Sequence, residues 1–154
     1  MSYLPPILFV ALVLMAASSG AIFKPGDWYK SLQKPAWTPP DWMFPVVWTA
    51  LYIMIGIAGW LIWDIQGFGL VLGLWAVQLI FNAMWSWLFF GMRRMDYAFV
   101  DVTFMWLSIA AFIVLAWQIS PWASLLFVPY LVWTTIAAAL NLTVWRMNPD
   151  AVAA

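Results

Sequence analysis

The sequence predicts an all-α integral membrane bundle of five transmembrane helices. Three observations carry that expectation. The chain is 67% hydrophobic and only 8% charged over 154 residues, more apolar surface than a globule of this size can bury. Its apolar residues fall into five runs, each near the roughly 20 residues that cross about 30 Å of hydrocarbon. Five of the six Lys and Arg residues lie in alternate connections between those runs and the sixth, Arg146, just after the last run, a segregation that random placement of the helices would destroy.

The runs are expected at about 4–23, 45–65, 70–90, 97–119 and 122–145. They are long and continuous, unlike the roughly ten-residue alternating segments of a membrane barrel, so helix is the expected state. Small residues Ala17 to Ala21 end the first run as a cleavage site would, but MSYLPP before it has no Lys or Arg. A signal peptide needs a basic start, so this run is expected to stay as a helix. Pro45 and Pro121 sit where helices begin, and proline is tolerated in a first turn. Pro129 lies inside the last run; it leaves the carbonyl of Leu125 without its helical donor and should kink that span. The links 66–69, 91–96 and 120–121 are short, which makes successive helices antiparallel neighbours. Only the first link, 24–44, is long. No repeat or shift of composition divides the chain, so one domain over 1–154 is expected.

Orientation follows from charge. Lys24, Lys30 and Lys34 lie in the first link, Arg93 and Arg94 in the third, and Arg146 near the end of the last span. With five spans these positions share one face. The positive-inside rule puts that face, the first loop and the C-terminus in the cytoplasm and the N-terminus outside. The expected location is a bacterial membrane, with inner and outer both open.

Composition also restricts the chemistry. The formal net charge is zero and the basic residues are scattered, so there is no footprint for nucleic acid. With no Cys and no His, disulfides, thiolate nucleophiles, ordinary zinc sites and imidazole acid/base chemistry are all absent, and no metal site is expected. The carboxylate side chains are six aspartates. Asp101 falls inside the fourth span, where an ionisable group is a functional candidate by default. Pairing with Arg93 or Arg94 across the short link is the favoured expectation. One carboxylate is too few for a proton relay.

Polar groups within spans usually face a bundle interior. In the third span Trp75, Gln78, Asn82 and Trp85 fall on one helical stripe. The second span carries Trp48, Tyr52, Gly56, Gly59 and Trp63 at similar spacing, and the fifth offers Tyr130, Trp133, Thr134, Ala137, Ala138 and Asn141. Converging stripes would enclose an aromatic cavity with two amides and a few hydroxyls; interhelical bonding alone is an equal account of Gln78 and Asn82. Trp87, Trp117, Trp122 and Trp145 lie near span ends and are expected as interface anchors. Gly69 and Gly73 form a G-x-x-x-G that could seat a second copy of the chain, although Gly69 could equally end a turn.

The segments WYKSLQKPAWTPPDW, VVWTALY, QLIFNAMWSWLFFGMRRM with Asp101 after it, PYLVW and LNLTVWR together resemble the TspO/MBR family, the translocator or peripheral benzodiazepine receptor proteins. The likeness runs from about Gly20 to Asn148, with the motifs in order. It implies a five-helix membrane protein, often a homodimer, that binds porphyrins and synthetic benzodiazepine-type ligands beneath the long first loop. By the same resemblance Tyr29, Trp37, Pro39 and Trp42 form the lid. Trp48, Asn82, Trp85 and Trp133 line the pocket, and Ala137 and Leu140 touch ligand. Sterol or lipid binding is a further family role, but LNLTVWR has Leu142 and Thr143 where sterol-binding members place a tyrosine. That departure argues against sterol recognition there.

The expected ligand is therefore a tetrapyrrole or another hydrophobic small molecule, with no cofactor required. Haem iron would lack its usual His or Cys axial ligands, whereas a metal-free macrocycle needs flat aromatic walls and cations near its propionates. The alternative is an enzyme in which Tyr29, Trp37 and Trp48 are oxidised by photoexcited porphyrin and degrade it. A pump is disfavoured, since no repeats or broken-helix pairs are visible.

Overall fold

A computed structural model describes residues 3–152. The first span is α1 (Leu4–Ile22), and the long link contains a short helix, α2 (Asp27–Ser31). Next come α3 (Met43–Gln66) and α4 (Leu70–Ser86), which runs on through a π-helical turn, Trp87–Gly91. The fourth span is α5 (Met95–Ala116), and the fifth is split into α6 (Pro121–Leu126) and α7 (Val128–Met147), followed by a 3₁₀ turn at Pro149–Ala151. Among the described residues five segments are long and apolar enough to cross a membrane: Leu4–Ile22, Met43–Gln66, Leu70–Gly91, Met95–Ala116 and Pro121–Met147. The all-α five-span architecture holds. Large apolar side chains such as Ile53, Ile57, Ile80, Phe104, Leu107 and Val114 point outward, an apolar exterior suited to lipid rather than water.

Three local features depart from the expectations. The first link, expected only as a long connection, holds the short helix α2, where Asp27 at the start and Lys30 near the end complement the helix dipole. The kink at Pro129 is a full break at Phe127, with Pro129 in the first turn of α7, the position where its missing N–H costs nothing. Ser120 caps α6 by accepting from the Ala123 N–H. The third departure is the π-turn at Trp87–Gly91, where one extra residue shifts the helical phase.

Around the bundle, α1 packs on α3 and α4, α4 on α5, α5 on α6 and α7, and α3 on α6, which closes a ring of five spans. The closest approach of α3 to α4 is at Gly59 and Trp75. Trp75 is 2% exposed, donates its indole N–H to the Ile55 carbonyl at 2.8 Å, and lies edge-on to Phe9 with centroids 5.0 Å apart. Gly59 faces that ring with no room for a side chain. Because α6 holds α3 at one end while α7 restarts after Phe127 against α5, the other half of the bundle is left open between α1, α3, α4 and α7. The cavity described below occupies this space.

Candidate functional site

The open half encloses a cavity of about 940 Å³. Its walls come from Ala17, Gly20 and Ala21 on α1, Phe44, Trp48 and Tyr52 on α3, Asn82 and Trp85 on α4, and Trp133, Ala137, Leu140 and Asn141 on α7. The π-turn adds Phe89 and Phe90, and the first link covers the mouth with Phe23, Lys24, Tyr29, Lys30, Lys34 and Asp41. The sequence stripes did not identify Phe89 and Phe90. In an α-helix adjacent residues diverge by about 100°, whereas the wider turn presents both rings to the cavity. Only the FF pair beside Gly91 could have signalled it.

A chain of hydrogen bonds fixes the inner wall. Tyr52 donates to Asn82 Oδ1 at 2.8 Å, Asn82 Nδ2 donates to the Tyr130 hydroxyl at 2.8 Å, and Tyr130 donates to Gln78 Oε1 at 2.8 Å. Gln78 Nε2 closes the chain on the Trp75 carbonyl at 2.7 Å. A second short chain runs from Trp85 Nε1 to Asn141 Oδ1 at 3.0 Å and from Asn141 Nδ2 to the Met95 carbonyl at 2.9 Å. Both networks hold aromatic rings in fixed orientations. Trp48 stacks on Tyr52 at 5.5 Å, Trp85 on Phe89 at 5.1 Å, and Trp133 meets Phe44 edge-on at 5.5 Å. The Trp133 Nε1 is buried and has no hydrogen-bond partner among the described residues.

Of the predicted ligand contacts, Trp48, Tyr52, Asn82, Trp85, Trp133, Ala137 and Leu140 converge on this cavity. Three do not. Gln78 is fully buried one turn deeper, with its amide committed to Tyr130 and the Trp75 carbonyl, so it braces the wall rather than forming it. Trp37 and Trp42 sit in turns of the first link, are 51% and 65% exposed and lie outside the lining. Tyr29 is the lid residue that reaches inward, packing edge-on against Phe89 and Phe90 at 6.1 and 5.4 Å. Lys34 supports it by donating to the Tyr29 and Leu32 carbonyls at 2.7 and 3.2 Å, with its ammonium 4.4 Å from the Tyr29 ring centre.

The expected pairing of Asp101 with Arg93 or Arg94 is corrected. Arg94 forms a two-pronged bond with Asp96, at 2.9 and 2.5 Å, and stacks on Tyr97 at 3.8 Å, while Arg93 turns toward the Trp28 ring at 5.9 Å. Asp96 stands two residues from Arg94 at the wet end of α5, and Asp101 is more than a turn deeper. Both Asp101 carboxylate oxygens are buried without a hydrogen-bond partner among the described residues. The glycine pair also divides. Gly69 caps α4 beside Gln66, whereas a Cβ on Gly73 would meet nothing within 4 Å, so Gly73 lies on an open outer face.

Burial, and secondarily the charge of Asp41, raises the Tyr29 pKa above its ordinary 10.0. The neutral phenol that packs on Phe89 and Phe90 therefore persists as pH climbs past 10. Its contribution to lid stability is complete below the free-tyrosine pKa, falls as pH rises from there, and is fully lost once pH passes the raised value. Difference absorbance of the protein against Tyr29→Phe should show phenolate forming above pH 10.0, and Asp41→Asn should bring it part of the way down. A midpoint at or below 10.0 would contradict this burial.

A profile of the TspO/MBR family matches residues 8–146. The chain belongs to the TspO/MBR family. Among similar proteins, Protein CrtK of Rhodobacter capsulatus is 44% identical over 150 residues, covering 93% of this chain and 91% of that one. The Tryptophan-rich sensory protein of Cereibacter sphaeroides is 43% identical over 142 residues, covering 92% and 90%. The human Translocator protein is 37% identical over 154 residues, covering 95% and 91%. As a TspO/MBR member of this length and hydropathy, the chain is an integral membrane protein.

Proposed function

We propose that this TspO/MBR protein binds a planar amphipathic tetrapyrrole, of the protoporphyrin class, in the lidded cavity as part of a sensory or translocator role. The observation that carries the reading is a cavity of about 940 Å³ with aromatic walls and Lys24, Lys30 and Lys34 at its mouth. Sites for drug-sized ligands span roughly 300–1,000 Å³, so the volume suits a large flat ligand. The macrocycle stacks on Trp48, Trp85 and Trp133 while its carboxylates meet the lysines, and the free Trp133 Nε1 donates to a ring or side-chain acceptor. The chain has no His or Cys to supply the usual axial ligand, which favours the metal-free macrocycle. Names of relatives such as Tryptophan-rich sensory protein and Translocator protein agree with the wider role. The lidded face is assigned to the cytoplasm by its positive charge. A homodimer is assigned to the outer face of α4, where Gly73, Val77 and Ile80 are exposed.

Tryptophan quenching by protoporphyrin in detergent tests the pocket. Trp48→Ala and Trp133→Ala should each weaken binding by roughly tenfold, since base-like stacking on an aromatic ring contributes about 1–3 kcal/mol; unchanged affinity in both sinks the assignment. A photochemical reading is also favoured by one feature: Tyr29 of the lid and Trp48 of α3 both line the cavity. It requires more than one defined product per protein under light, lost in Tyr29→Phe. Stoichiometric bleaching leaves a binding protein.

A further inference from the structure

The end of the last helix is tied to the lid by a contact that the cavity itself does not require. Asn148 follows α7, and its side-chain amide grips both backbone groups of one lid residue. Oδ1 accepts the Gln33 N–H at 2.9 Å and Nδ2 donates to the Gln33 carbonyl at 2.8 Å. The same Nδ2 donates to the Val144 carbonyl at 2.8 Å, an acceptor in the last turn of α7 that also takes the Asn148 backbone N–H at 3.1 Å. Three residues on, at the end of the turn that Pro149 starts, the Ala151 carbonyl accepts the Trp28 indole N–H at 3.3 Å.

The place of the grip matters. Gln33 lies between Leu32, buried against Leu140 and Val144 of α7, and Lys34, which holds Tyr29 at the cavity mouth. Pro35 follows immediately and has no N–H to offer. Release of Gln33 would free the segment that covers the cavity, whereas the walls on α3, α4 and α7 would keep their own hydrogen bonds. Asn148 does not touch the cavity; it acts through the lid.

We propose that the segment after α7 is a latch on the lid, with Asn148 as the positioning residue that sets how fast ligand exchanges with the cavity. The gating half rests on the cavity being the ligand site; the latch itself does not. Because Asn148 bonds only to the backbone of Gln33, the identity of the Gln33 side chain is irrelevant to it.

The test uses full-length protein. In Asn148→Ala, exchange of the Gln33 amide, followed by NMR without ligand, should accelerate about tenfold, the loss expected from two partly exposed hydrogen bonds. Asn148→Asp keeps the acceptor and loses the donor, so it should fall between. Gln33→Ala should match the parent. Stopped-flow quenching by protoporphyrin should show association and dissociation both about tenfold faster in Asn148→Ala, with Kd within about threefold. That paired change is one a merely destabilised fold would not produce. Unchanged Gln33 exchange, or equal acceleration in Gln33→Ala, overturns the latch. Faster amide exchange with unaltered protoporphyrin rates overturns the gating role. If the parent protein does not bind protoporphyrin at all, the proposed ligand fails, and the amide exchange still decides the latch.

Discussion

Gly59→Ala is expected to lower the stability of the bundle by about 2–4 kcal/mol, the sum of an overpacking cost of about 1–3 and the loss of a hydrogen bond near 1. A Cβ at this position would stand 2.4, 2.6 and 2.8 Å from three atoms of the Trp75 indole, well inside van der Waals contact. The ring cannot swing aside, because its N–H is held by the Ile55 carbonyl on the same helix as Gly59 and its face is blocked by Phe9. Relief must come from separating α3 and α4, which also disturbs the Gln78 amide bonded to the Trp75 carbonyl. Gly73→Ala supplies the control, since nothing lies within 4 Å of its Cβ; it should be neutral or slightly stabilising in the monomer, as alanine is the better helix former. Reversible unfolding in mixed micelles measures both. Equal midpoints for Gly59→Ala and the parent would show that the seam is looser than described.

Charge reversal at the mouth, Lys24→Glu with Lys30→Glu, should weaken protoporphyrin binding by roughly 30-fold. Both lysines are exposed, so each attraction to a carboxylate contributes about 0.5 kcal/mol at most sites of this kind. Reversal replaces attraction with repulsion, giving about 2 kcal/mol for the pair, and 1.4 kcal/mol is tenfold. Lys34 is left intact because it also supports the lid. The dimethyl ester of the same macrocycle has the rings without the charges, and its affinity should change less than about threefold. Raising salt from 0.05 to 0.5 M should shrink the acid's loss, since exposed charges are screened beyond a few ångströms at that strength. Equal losses for acid and ester would mean that the lysines shape the mouth rather than read carboxylates.

The spans were legible because lipid imposes a one-dimensional demand: enough consecutive apolar residues, with basic residues held to one side. The wall positions Trp48, Tyr52, Asn82, Trp85 and Trp133 were legible through helical periodicity and the family resemblance together. Gln78 shared their stripe and lies behind the wall. Periodicity reports direction around a helix but not depth along it, and the Tyr130 hydroxyl stands between Asn82 and Gln78. Trp37 and Trp42 were drawn in by their aromatic character, yet loop residues have no periodicity to orient them. Asp101 was assigned a partner by proximity in sequence; Arg94 was already satisfied by Asp96.

By itself, then, the sequence determined the membrane as solvent, the number and alternation of spans, and the end of the bundle that carries positive charge, all of which depend on local composition. Only the tertiary structure decided where the cavity opens. That depended on how the two halves of the last span pack after the break that Pro129 signals, with α6 on α3 and α7 on α5, and on the extra residue in the Trp87–Gly91 turn. Pro129 marks that the last span must break, but which neighbour each half meets is fixed by packing between segments distant in the chain, which a local pattern does not encode.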